Sequence, residues 1–385
     1  MRLNSPLAGI LIILVAMFSC IEPFTPDLGE SATDKYVVYG QLTNEEGYQY
    51  VKISLSSKVD EPAFIPLRSC RVDILDDKGH TYGMNESEAG IYRIWMSSSD
   101  LKPGTSYQIR VVTPSGVEIV SDFDQMPVSP PVDSLWYTVE EGPPDNPARD
   151  LPGIQFHLDL DAGGTGSHYF RWELTETWER HATYPKIWWY DGRIHQTDPP
   201  DYSLFICYNT EQIKNIYTLS TANLAANRYQ AFQLNYVGNN SSRLAIMYSL
   251  LVRQYAMSRA AYEYWDQLRV NSNNQGGLYE KQPIRVRGNL EVVNAPGKEV
   301  LGTFNAVSVQ EKRIFVNDVP GLELDYESLC HPPYILDRGG LEASRGADRI
   351  LYFLILHGAI RPIDAACVDC TKLGGTTEKP DYWPE

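Results

Sequence analysis

The chain has 385 residues, of which 43% are apolar and 21% charged. That balance excludes wholesale disorder, and the length exceeds what one hydrophobic core usually organises, so two domains are expected. Lys and Arg number 33 against 49 Asp and Glu, and the net charge of −16 argues against nucleic acid as a partner, because it repels phosphate backbones.

The amino terminus reads as an export signal. Arg2 supplies a positive charge, and an apolar run follows over 7–18. This run is too short to cross a hydrocarbon core, which takes about 20 residues, but it suits a signal-peptide core. Ser19 and Cys20 close it. A small residue directly before Cys is the pattern of a bacterial lipobox. Residues 1–19 are therefore expected to be removed and Cys20 to carry acyl chains, with two or more chains giving stable anchoring. Residues 20–35, with Pro23, Pro26 and several acids, form the expected tether.

From residue 36 to 127, short apolar-alternating runs are separated by turns. Strands are expected at 36–42, 50–56, 71–75, 90–95, 106–112 and 117–121. Turn chemistry lies between them, as at Lys102-Pro103-Gly104 and Thr113-Pro114-Ser115-Gly116. An immunoglobulin-like or fibronectin-like β-sandwich fits this pattern. The Pro-rich stretch 126–133 reads as a stiff linker into a second, larger β-rich domain over 128–385. The fold class expected for the whole is all-β and mainly antiparallel.

In the second domain, strands are expected at 153–160, 169–178, 203–208, 243–255, 284–289, 302–307 and 313–316. Alternation in 169–178 points Trp172 and Trp178 inward. One amphipathic helix interrupts the strands. Ser258 is its N-cap, Ala261, Trp265 and Leu268 share a face, and 273–277 ends it. Residues 159–165 alternate oxygen-bearing side chains, but Phe170 stands at the twelfth position of a would-be Ca²⁺ loop, so a Gly-rich hairpin turn is expected instead. The apolar run 350–357 reads as a buried strand.

Several of these segments resemble the family catalogued as domain of unknown function 4249. The carriers are Tyr169-Phe-Arg-Trp-Glu-Leu-Thr-Glu-Thr-Trp178, the run 248–258 into Ala261-Tyr-Glu-Tyr-Trp265, the segments 276–283 and 287–289, Leu301-Gly-Thr-Phe304, Lys312-Arg-Ile-Phe315, and most specifically Cys367-Val-Asp-Cys370 with the tail to Trp383. The resemblance implies an outer-membrane lipoprotein of Bacteroidota, often encoded beside a TonB-dependent β-barrel transporter. It implies no reaction.

After Cys20, five cysteines remain: Cys70, Cys207, Cys330, Cys367 and Cys370. An exported chain meets an oxidising compartment, where pairing is expected. Cys70 reads as a small core residue, and the other four allow three connectivities. The expectation is that Cys207 and Cys330 each join one member of the Cys367-x-x-Cys370 pair and fasten the tail. The rivals are a zinc site including His331 and a redox motif. The first suffers from poor spacing and the second lacks a βαβ context.

Trp188-Trp189-Tyr190 lies beside Asp191-Gly192 in loop-like sequence and is the candidate ligand-binding cluster, for a sugar or a protein partner. No catalytic, metal-binding or cofactor motif is legible. The seven histidines are scattered, and the carboxylates select no pair for a glycosidase. The expected function is a non-catalytic, membrane-anchored accessory of a TonB-dependent transporter, facing the cell surface, with the periplasmic face left open. The alternatives are a glycan-binding module built on the Trp/Tyr cluster, a peptide-binding version of it, or an unrecognised hydrolase.

Overall fold

The computed structural model describes residues 35–58, 62–141, 151–273, 286–326, 330, 335, 337–344 and 350–385. The expected signal peptide, Cys20 and the tether up to residue 34 lie outside the described residues. So do His331, the segment 276–283 and the helix end beyond Asn273.

Alternating apolar residues with turn-formers between them produce short antiparallel strands first. These are β1 Tyr36–Thr43, β2 Gly47–Leu55, β3 Ile65–Pro66, β4 Arg71–Asp76, β5 Thr81–Glu88, β6 Ile91–Met96, β7 Ser106–Val112, β8 Glu118–Ser121 and β9 Asp124–Gln125. Beyond the Pro-rich stretch come β10 Ser134–Glu140, β11 Gly153–Asp161, β12 Tyr169–His181, β13 Lys186–Tyr190, β14 Ile194–Asp201, β15 Ile206–Ser220, β16 Arg228–Gly238 and β17 Tyr248–Ala256. Helix α1 (Arg259–Asn273) follows, then β18 Leu290–Val292, β19 Val300–Val316, β20 Leu351–Leu356 and β21 Ala359–Ile363. The fold is all-β and mainly antiparallel, as expected.

Two cores organise it. In the first, Val38, Val51, Ile53, Ile74, Tyr92, Tyr107, Ile109 and Val111 point inward from strands on both sides. Tyr92 is fully buried. Its hydroxyl donates to the Leu67 carbonyl at 3.0 Å and accepts the Cys70 N–H at 2.9 Å. Cys70 is a free, buried thiol in this core.

The sandwich does not end at residue 127. Phe304 and Ala306 sit in the same core, with Leu290 and Val292 packed against it. Strand β18 extends the sheet beyond β8, and β19 pairs in parallel with the whole of β1, from Tyr36↔Val300 to Thr43↔Val307. The second half of β19 pairs antiparallel with β17, from Ala256↔Ser308 to Tyr248↔Val316. One long strand therefore belongs to both halves, and the large sheet runs β15-β12-β17-β19-β1-β2-β6-β5-β4-β7-β8-β18. The expected cut at 127/128 is corrected to a discontinuous sandwich, made of 36–126 plus 288–307. Sequence order hides this because a parallel pairing needs a crossover, and here everything between Thr43 and Val300 supplies it.

Two glycines permit the junction. Gly302 has φ +98°, and a Cβ there would lie 2.0 Å from the Val38 carbonyl oxygen. A Cβ on Gly288 would lie 1.7 Å from the Gly302 oxygen. The backbones touch where no side chain fits.

The stretch expected to be an interdomain linker is a packed strap. Pro130 and Val132 are buried. The Val128 carbonyl accepts from Ser167 Oγ at 2.6 Å, that of Pro130 from Gln254 Nε2 at 2.8 Å, and that of Asp133 from Lys312 Nζ at 2.6 Å. Ser308 Oγ donates to the Pro127 carbonyl. Proline fixes the backbone and removes donors, so carbonyl acceptance is the bonding left to such a run.

The second core lies between the large sheet and the sheet β10-β11-β16. Ile154, Phe156, Leu158 and Leu160 of β11 face Phe170, Trp172, Leu174 and Trp178 of β12. Both tryptophans point inward as expected. The Trp172 Nε1–H donates to Gln254 Oε1 at 3.1 Å, which removes the cost of burying an indole donor. Truncating such a residue to Ala costs about 3–5 kcal/mol. The turn after β11 joins strands of two different sheets, so it is not the hairpin that residues 159–165 lead one to expect.

Helix α1 covers the other face of the large sheet. Ala261 N–H donates to Ser258 Oγ at 3.2 Å, so Ser258 caps the helix as expected. Arg171, only 3% exposed, lies 4.0 Å from the Trp265 ring centre and 4.7 Å from that of Tyr255. It also donates to Glu173 at 2.7 Å and to Gln41 at 2.9 Å. That set of partners is what lets a guanidinium be buried.

Candidate functional site

Sequence directs attention to Trp188, Trp189 and Tyr190 as an exposed loop cluster. The structure corrects this. They form β13, inside a four-stranded sheet ordered β14-β13-β20-β21. Tyr190 is buried, and the two tryptophans are half-buried. Trp189 stacks on His195 with centroids 3.8 Å apart and planes within 7°. Lys186 Nζ lies 5.1 Å from the Trp189 ring centre. Trp188 packs against Phe353 of β20, directly opposite in register. The loop-like look of the sequence comes from the tight turn at Asp191-Gly192, and the strand partner is more than 150 residues away in β20. What these residues build is the small core of an appendage.

Disulfides fasten that appendage. Cys207 joins Cys370 and Cys330 joins Cys367. Each member of the Cys-x-x-Cys pair therefore takes one distant partner. The thiolates that a zinc site would need are spent in these bonds. Beside them, Tyr184 N–H donates to the Cys367 carbonyl at 2.9 Å and Cys370 N–H to that of Leu204 at 3.0 Å. Trp383 of the tail donates to Glu179 at 3.0 Å and rests against Tyr208 and Phe315. The appendage ends in an apolar hairpin tip, where Ile355 and Leu356 are exposed beside the turn at His357-Gly358. Ile350 and Ile194 are exposed as well.

The histidines expected near the aromatic stretch make local pairs with carboxylates. His181 lies 2.7 Å from Glu179, and His195 lies 2.9 Å from Asp191. One pair of carboxylates does stand face to face, Glu176 and Glu211, cross-strand partners on β12 and β15. Arg243 spans both, 3.1 Å from Glu176 and 4.0 Å from Glu211. Tyr248 Oη–H donates to Glu176 at 2.9 Å. Burial raises the Glu176 carboxyl above its usual range, Arg243 and Tyr248 pull it down, and Glu211 pushes it up. Among the described residues, a cavity of about 550 Å³ is lined by Asp133, Asp159, Asp161, Arg228 and Tyr229 among others, and neither glutamate lines it or two smaller ones. The arrangement therefore balances a buried charge at the rim of the second core.

A cluster of aromatic residues that faces solvent lies on the first sandwich. Along β2 the inward residues are Gln49, Val51 and Ile53, and the outward ones are Tyr48, Tyr50 and Lys52. Tyr48 pairs across to Trp95 on β6, and Tyr50 to Arg93. All four thus share one face. Tyr48, Tyr50 and Trp95 are 52%, 47% and 52% exposed. The two tyrosine rings are 6.3 Å apart at 49°, and Arg93 sits 4.5 Å from the Tyr48 ring centre. Further along the same sheet, Trp265 of α1 meets Tyr39 of β1 edge-on, so the helix walls the face on that side. The signal for this site is present in the sequence, as aromatic residues in the polar phase of an alternating strand.

Among curated proteins none matches the chain. Among solved structures, trypsin-activated alpha-2-macroglobulin from Escherichia coli is similar at 11% identity and a TM-score of 0.20; the match covers 62% of this chain and 15% of that one. So low a TM-score carries no argument about fold or function. Residues 21–313 match the family described as Domain of unknown function (DUF4249), and the chain belongs to that family.

Proposed function

We propose that this protein is a lipoprotein anchored through Cys20 in the outer membrane, that it works by binding and not by catalysis, and that its partner is a TonB-dependent β-barrel transporter in nutrient uptake. The observation that carries this reading is the pair of disulfides, Cys207–Cys370 and Cys330–Cys367. Such bonds form and persist outside the reducing cytosol, in the compartment to which an export signal ending in Ser19-Cys20 leads. The exposed Ile355 and Leu356 at the tip of a covalently fastened hairpin support the binding part, since a rigid apolar tip loses little entropy on docking. Extraction of the chain in mild detergent from the bacterium that makes it, followed by purification, tests the partnership. A TonB-dependent β-barrel recovered in stoichiometric amount is the expected result. Recovery without any β-barrel removes the reading.

A further inference from the structure

The face built by Tyr48, Tyr50, Arg93, Trp95 and Lys52 has no part in the transporter reading, and we infer that it is a binding site for an acidic carbohydrate chain, one whose sugar rings carry carboxylate or sulfate groups. Three observations lead there. The first is geometry. Three amphipathic rings stand on a sheet face with about half of each exposed, and none of the described cavities opens beside them. A protein partner anchors its hot spots in desolvated pockets. A flat, open face instead suits a ligand that is itself flat, such as a sugar ring, whose C–H groups meet the negative face of an aromatic ring.

The second is unspent polarity. Among the described residues, the Tyr48 and Tyr50 hydroxyls and the Trp95 indole N–H have no hydrogen-bond partner in the protein, so each can bond a sugar hydroxyl. The third is charge. Lys52 and Arg93 are exposed and have no carboxylate partner among the described residues, in a chain whose net charge is −16. Two unpaired cations on one face of an otherwise acidic protein are complementary to an anion, and Arg93 also holds the Tyr48 ring in place from 4.5 Å.

The test titrates the full-length chain in mild detergent with oligogalacturonate, with a neutral gluco-oligosaccharide of equal length, and with polyglutamate. Oligogalacturonate is expected to bind about tenfold more tightly than the neutral sugar. Trp95→Ala or Tyr50→Ala is expected to lose about tenfold or more, Trp95→Phe to retain most of the affinity, and Arg93→Gln to abolish the preference for the acidic sugar while leaving weak binding of both. All these side chains are exposed, so circular dichroism and melting should match the parent. Equal binding of polyglutamate would transfer the site to acidic proteins and overturn the inference. So would absence of oligogalacturonate binding, or affinity unchanged in Trp95→Ala.

Discussion

Replacing Gly302 by Ala probes the strand shared by the two halves. The residue has φ +98°, where an L side chain costs about 1–2 kcal/mol. Its new Cβ would meet the Val38 oxygen at 2.0 Å. An ordinary carbon–oxygen contact is about 3.3 Å, so β1 and β19 must separate by roughly 1 Å. Separation stretches the parallel pairing that runs from Tyr36 to Thr43. Two weakened backbone bonds cost about 1 kcal/mol each. The gap opens beside Val38 and Phe304, which are 0% and 1% exposed, and lost packing there adds about 1–2 kcal/mol. The sum is roughly 5 kcal/mol, a large share of the roughly 5–15 kcal/mol that holds a typical fold together. Gly297→Ala is the control: its φ is +87° with nothing within 4 Å, so it carries only the backbone strain. Urea unfolding followed by tryptophan fluorescence should place Gly302→Ala several kcal/mol below Gly297→Ala. Equal stabilities within about 1 kcal/mol would refute the close parallel junction.

Removing the Cys207–Cys370 bond by paired Ser substitutions should cost up to about 5 kcal/mol for a loop of 163 residues, and removing Cys330–Cys367 up to about 4 kcal/mol for 37. The loops are nested, so the two together should cost less than the sum; melting unchanged by reductant would contradict both. Burial raises Tyr82 to about 12 and raises Tyr92 and Tyr255 as well. Unfolded tyrosines ionise near pH 10, so the folded state holds these protons longer; stability should be complete below that pH and fall as pH rises beyond it, with phenolate absorbance appearing in step with unfolding. Tyr92→Phe should cost about 1–3 kcal/mol by leaving the buried Cys70 N–H without its acceptor and the Leu67 carbonyl with only the weak Cys70 thiol as donor. Glu176, also raised by burial, contributes the same sign in acid: the fold is favoured while the group is protonated, and stability declines as pH rises through its window. Glu176→Gln should flatten the stability profile above about pH 4, the ordinary glutamate range, leaving the part due to Asp124, which burial also raises.

Much of the first sandwich is legible because its strands alternate cleanly. Strand β5 escapes notice because, among its eight residues, only Met84 is buried and most of the rest are polar and exposed. Ser258 announces helix α1 through a hydrogen bond made within three residues. By contrast, the parallel pairing of β1 with β19 and the pairing of β13 with β20 join segments far apart in sequence, and no local pattern encodes them. The same distance explains the misplaced aromatic cluster. Trp188 and Trp189 look exposed until β20 is laid beside them. Tyr48 and Trp95 look like ordinary strand residues until their phase against Val51 and Tyr92 is followed. The cysteine pattern is legible in kind, since Cys-x-x-Cys needs two distant partners, but the choice of partner is set by the position of β15 and the tail.

Native mass spectrometry of the complex extracted from its own membranes gives the sharpest test of lipid anchoring together with transporter binding. The expected species is a chain that begins at an acylated Cys20, held to one TonB-dependent β-barrel. A chain of unmodified mass, recovered alone, would contradict it.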